Sequence, residues 1–174
     1  MNAPELQAAL APLLAGCVEG FRDLLGCDRL TGGASQETWR LRVATDGGEE
    51  LLCLRRSARE SADTLSPALE ARLMQLAGAA AVPEPRVFHV LEPGGPLGEG
   101  FVMAWLEGET LGGRITHSAK FEAIRPALAR QCGEILGRIH GIDLAAAGLE
   151  AALAPTTARQ LVEATWQQYR DYHT

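Results

Sequence analysis

A chain of 174 residues, 47% apolar and 22% charged, is long enough to bury a core without disulfide or metal staples and too apolar to be a disordered segment. Its formal net charge of −6 argues against a broad nucleic-acid or anionic-membrane surface, because both need a basic field. Neither nucleic acid nor membrane is therefore expected as a partner.

The stretch from Pro4 to Leu25 carries Leu6, Leu10, Leu13, Leu14, Val18, Phe21 and Leu25 at helix-like spacing, which predicts one helix, or two short ones broken near Gly16. After Gly26 the pattern becomes alternating. Trp39, Leu41 and Val43 interleave with Thr38, Arg40 and Arg42, a second apolar run covers Leu51 to Leu54, and Asp46-Gly47-Gly48 between them predicts a hairpin. With Asp46 to Gly48 as a three-residue loop, Thr45 faces Glu49, Leu41 lies opposite Cys53 and Trp39 opposite Arg55. Arg55 then ends an apolar strip on the same sheet face; a two-residue loop would shift that register by one.

Ser66-Pro67 reads as an N-cap followed by proline in the first helical position, opening a helix that carries Leu69, Glu70, Leu73 and Leu76 and fades near Gly78. Val82-Pro83-Glu84-Pro85 enforces an extended entry to strands over Val87 to Leu91 and Gly100 to Leu106, and Glu107 to Gly113 reads as a linker. Ile124, Leu128, Cys132, Ile135, Leu136 and Ile139 predict a long helix ending near His140, placed to pack at a C-terminus that suits its charge, and Thr157 to Tyr172 predicts another. Strands first and helices afterwards indicate an α+β lobe followed by the start of an all-α lobe.

Cys17, Cys27, Cys53 and Cys132 form no C-x-x-C pair, and Met1 to Glu5 lacks the start of a signal peptide, so a reducing cytoplasm is the expected setting. His89, His117, His140 and His173 are scattered, and no metal site is expected. The run Leu30-Thr31-Gly32-Gly33-Ala34-Ser35-Gln36-Glu37-Thr38-Trp39 joins two strands through small residues. Its backbone N–H groups and the Ser35 hydroxyl can face an anion, or it can be an ordinary hairpin turn. Taken singly, Arg55 and Glu70 read equally as solvated charges, and Met103 and Trp105 as packed strand residues.

The order of these pieces is more specific than any one of them. The glycine-rich hairpin, the strand ending Leu52-Cys53-Leu54-Arg55, the helix with Glu70, Val82-Pro83-Glu84-Pro85 and Phe101-Val102-Met103-Ala104-Trp105-Leu106-Glu107-Gly108 together resemble the aminoglycoside-phosphotransferase and choline-kinase-like family, from about Leu30 to Asp143. The resemblance implies a protein-kinase-like N-terminal lobe, an antiparallel sheet of about five strands with a packed helix, followed by helices of an incomplete C-terminal lobe. The implied division is 1–27 helical segment, 28–107 nucleotide-binding lobe and 108–174 linker and first helices of a truncated second lobe.

By the same resemblance the cofactor is ATP or GTP, with Gly33, Ser35 and Gln36 in the glycine turn. Arg55 stands in place of the phosphate-pairing strand lysine, and Glu70 is the carboxylate that holds it. Phe101 to Gly108 becomes the hinge, with Met103 behind the base, the Ala104 carbonyl and Leu106 N–H as its hydrogen-bond partners, and Cys53 as a small apolar roof without thiol reactivity. The family's H-G-D-x-x-x-x-N loop, which supplies the base and a magnesium ligand, is not in the sequence, so no catalytic residue, magnesium only with the missing lobe, and no turnover from this chain alone are expected. A small hydroxylated compound is the implied acceptor. The competing expectation is a non-catalytic interaction module, pseudokinase-like or self-associating through exposed lobe surface.

Overall fold

The computed structural model describes residues 2–31, 36–57, 65–153 and 156–173. They fall into two units, Met1–Ile142 and Asp143–Thr174.

In the first unit, helix α1 spans Ala3–Cys17 and starts in a reciprocal cap: Asn2 Oδ1 accepts from the Glu5 N–H and Glu5 Oε2 from the Asn2 N–H, each at 3.0 Å. Leu6, Leu10 and Leu14, one turn apart, form its fully buried stripe. The helix does not reach Leu25 as its spacing predicts. Val18 is extended, Gly20 turns the chain at φ 65°, and strand β1 begins at Phe21 and runs to Arg29.

Strands β2 (Gln36–Thr45), β3 (Gly48–Ser57), β4 (Val87–Val90) and β5 (Gly100–Ala104) complete a 5-stranded antiparallel sheet in the order β1-β2-β3-β5-β4. This is the α+β arrangement expected of a kinase-like N-terminal lobe. One sheet face, carrying Trp39, Leu41, Val43, Leu52 and Leu54, packs with the α1 leucines into the main core.

The β2–β3 register corrects the expected one. Thr45 pairs with Gly48, whose φ of 118° suits glycine, so only Asp46 and Gly47 remain in the turn. Trp39 therefore pairs with Leu54 and Leu41 with Leu52, while Thr38 lies opposite Arg55 and Arg40 opposite Cys53. Because side chains alternate across a strand, this one-residue difference moves Cys53 and Arg55 off the α1 face and onto the other side of the sheet.

Helix α2 (Pro67–Ala79) covers part of that second face and starts as predicted, with Ser66 Oγ accepting from the Leu69 N–H at 3.3 Å. Its buried residues are Pro67 and Ala71, small groups one turn apart that let the backbone approach the sheet. It ends in a Schellman arrangement, with Val82 N–H donating to Ala77 O and Ala81 N–H to Gly78 O, both at 3.0 Å. Ala81 occupies the left-handed position there, at φ 58°.

Glu107 to Leu111 form no helix or strand, in line with the expected linker, and α3 (Gly112–His117) and a 3-10 turn over Ala119–Phe121 follow. Helix α4 (Arg125–His140) follows and leaves Leu136 and Ile139 exposed; His140 sits in its last turn but is exposed rather than packed. Arg138 Nη1 donates to Ala81 O at 2.7 Å, tying α4 to the end of α2. The second unit contains helix α5 (Ala158–His173), where Thr157 Oγ1 accepts from the Gln160 N–H and Gln160 Oε1 from the Thr157 N–H. Leu161, Val162, Trp166 and Tyr169 are exposed along it. Among the described residues no helix is long and apolar enough to cross a membrane.

Candidate functional site

The first face carries its own charged group beside the core, where Glu37 pairs with Arg29 and Arg56, and the second face carries another, against α2. β3 and α2 bring Arg55 and Glu70 together, with Arg55 Nη1 2.8 Å from Glu70 Oε1. Their side chains are 33% and 22% exposed, so the pair is largely shielded yet open to solvent on one side. Glu70 lies in the first turn of α2, where the helix dipole favours a carboxylate.

Gln36, the first described residue after Gly32-Gly33-Ala34-Ser35, bridges both partners. Its Oε1 accepts from Arg55 Nε at 2.9 Å and also from Nη2, and its Nε2 donates to Glu70 Oε2 at 3.1 Å. An amide offers acceptor and donor side by side, which matches a guanidinium and a carboxylate at once. A guanidinium carries five N–H donors, so these contacts leave some for a further anion. The Arg55 side chain also lies over Phe101, with Cζ 5.8 Å from the ring centroid, a cation–π contact that fixes its direction.

Phe101 arrives there because β5 crosses β3 closely. Arg55 pairs with Phe101 and Arg56 with Gly100, and a Cβ on Gly100 would come within 2.3 Å of Arg55 O. Only glycine allows that approach.

Cys53 pairs with Met103 on the same face and is buried. Burial pushes its thiol pKa up, against a smaller downward pull from the Arg55 charge, so it is a packing group and not a poised nucleophile. At the end of β5, the Ala104 N–H donates to Arg86 O at 2.8 Å and the Trp105 N–H to Leu51 O at 3.3 Å. Leu106 is exposed, and its N–H has no partner among the described residues.

Arg55, Glu70 and Gln36 thus converge, and Cys53 and Met103 lie beside them on the same face, whereas Ala104 pairs with Leu52 on the opposite face and Leu106 lies two residues past the end of β5. Gly33 and Ser35 lie outside the described residues. Two participants escape a sequence reading: the bridging role of Gln36, which needs the register, and Phe101 under Arg55, which needs the β3–β5 pairing.

Residues 26–173 match the phosphotransferase enzyme family, APH. The chain belongs to this family. The matched region begins inside β1 and takes in the whole sheet from β2 onward, α2, and every described residue of the site. The family resemblance drawn from the motif order is therefore the right one, and it makes the Arg55–Glu70 pair part of a phosphotransferase lobe. No curated protein matches the chain.

Proposed function

We propose that this lobe binds the triphosphate of ATP or GTP for phosphoryl transfer to a hydroxyl of a small molecule. The observation that supports it is the Arg55–Glu70 ion pair, clamped by Gln36 at the start of β2 and standing on Phe101. A guanidinium held in this way offers its remaining N–H donors as a fixed fork to phosphate oxygens, and the carboxylate keeps it from folding back into solvent. The base takes the adjoining stretch of sheet, with Cys53 above it and the Leu106 N–H available at its edge.

Transfer itself needs a base and metal ligands of the kind an H-G-D-x-x-x-x-N loop carries, and this sequence has no such run. Among the described residues no group of three or more His, Cys, Asp or Glu is placed to hold a metal ion. The activity proposed for this chain is nucleotide binding.

A thermal-shift titration with ATP and with GTP tests it. The wild-type chain is expected to gain melting temperature with at least one nucleotide, and Arg55→Ala to weaken the half-point at least tenfold, as loss of a charge-assisted phosphate contact should. An identical response in Arg55→Ala would remove this side chain from the site.

A further inference from the structure

The sheet register carries the site one strand further than the family motifs do. Asp28 on β1 pairs with Arg40 on β2, Arg40 with Cys53 on β3, and Cys53 with Met103 on β5. Directly opposite residues share a face, so these four side chains form one row across the sheet, on the side that also carries Arg55. Arg40 Nη2 is held 3.0 Å from Asp28 Oδ2, and the buried Arg40 Nε has no hydrogen-bond partner among the described residues.

We propose that Arg40 is the residue against which the purine base of the nucleotide stacks, with Asp28 holding the guanidinium flat; this rests on the nucleotide reading given above. A guanidinium is planar, weakly hydrated and stacks on aromatic rings, and a carboxylate at one edge removes much of its rotational freedom while leaving its face open. Cys53 is the small member of the row, and the distance from Arg40 across it to Met103 is about 10 Å at the usual strand spacing, room for a flat bicyclic base. Arg55 lies two residues further along β3, roughly 7 Å away, so base and phosphates fall on successive cations of one sheet face. Beside Cys53, the ceiling of this base site is completed by an ion pair where an apolar side chain would serve a neutral stack.

Calorimetric titration of the full chain with ATP and with inorganic triphosphate tests the assignment in wild type, Arg40→Ala, Arg40→Lys and Asp28→Asn. Arg40→Ala is expected to weaken ATP binding about twofold to thirtyfold, the range of a cation–π stack, while leaving triphosphate binding unchanged. Arg40→Lys, which keeps the charge and loses the plane, should weaken ATP nearly as much; Asp28→Asn should do so less. Circular dichroism checks that each variant is folded, and the lysine variant carries the test if the alanine variant is not.

Three outcomes overturn the proposal. One is undiminished ATP binding in Arg40→Ala or Arg40→Lys. Another is an equal loss for ATP and triphosphate, which would make Arg40 a mere charge. The third is wild type binding ATP no better than triphosphate. If wild type binds neither, the nucleotide reading itself falls; if Arg55→Ala loses ATP while Arg40→Ala does not, only the base assignment falls.

Discussion

The two faces of the sheet share the same strands, and each carries an Arg–Glu cluster, but they differ in what covers them. On one, Leu6, Leu10 and Leu14 of α1 close over Trp39, Leu41, Leu52 and Leu54, all buried. On the other, α2 presents only Pro67 and Ala71 as buried residues, and the space beside it is filled by Arg55, Glu70 and Gln36 in mutual contact. The difference teaches a division of labour. The apolar face supplies stability, because non-directional burial needs no partner in solution. The polar face supplies recognition, because its charges are held in place without being wholly withdrawn from water.

The comparison is broken most forcefully at Leu10. Leu10→Ala removes a fully buried side chain from the α1 stripe and is expected to cost about 2–5 kcal/mol in a denaturant titration, without altering the nucleotide half-point of the molecules that remain folded. Arg55→Ala should do the reverse: because the ion pair is partly solvated, its stability cost is about 1 kcal/mol, while nucleotide binding is lost as described. If Arg55→Ala destabilised the fold as much as Leu10→Ala, the two faces would not divide these roles. The smallest effect lies at the end of α2, where Ala81 adopts φ 58° in the Schellman position; Ala81→Gly should raise stability by about 1 kcal/mol, read as a higher midpoint.

How much of this was legible in the sequence follows from how local each signal is. The start of α2 was, because Ser66 and Pro67 act on their own turn. The β2–β3 hairpin was legible but its register was not: Gly48 suits a loop as well as a paired position at positive φ, and that choice alone decides which face Arg55 takes. The end of α1 was misread for a traceable reason. Val18, Phe21 and Leu25 continue the three- and four-residue spacing past the helix end, yet Leu25 is exposed in β1, whose buried residues are Leu24 and Cys27. Within the site, Arg55 and Glu70 were legible through the order of family motifs, whereas the Gln36 bridge depends on contacts across 19 and 34 residues of chain that no spacing encodes.

The most direct measurement is a nucleotide titration followed by the amide spectrum of the nitrogen-labelled chain. Shifts should concentrate at Gln36 to Arg40, Cys53 to Arg55 and Met103 to Leu106, with the amides of Leu6 to Leu14 on α1 nearly still. Shifts confined to the α1 face, or none at saturating ATP and GTP, would contradict a nucleotide seat on the polar side of the sheet.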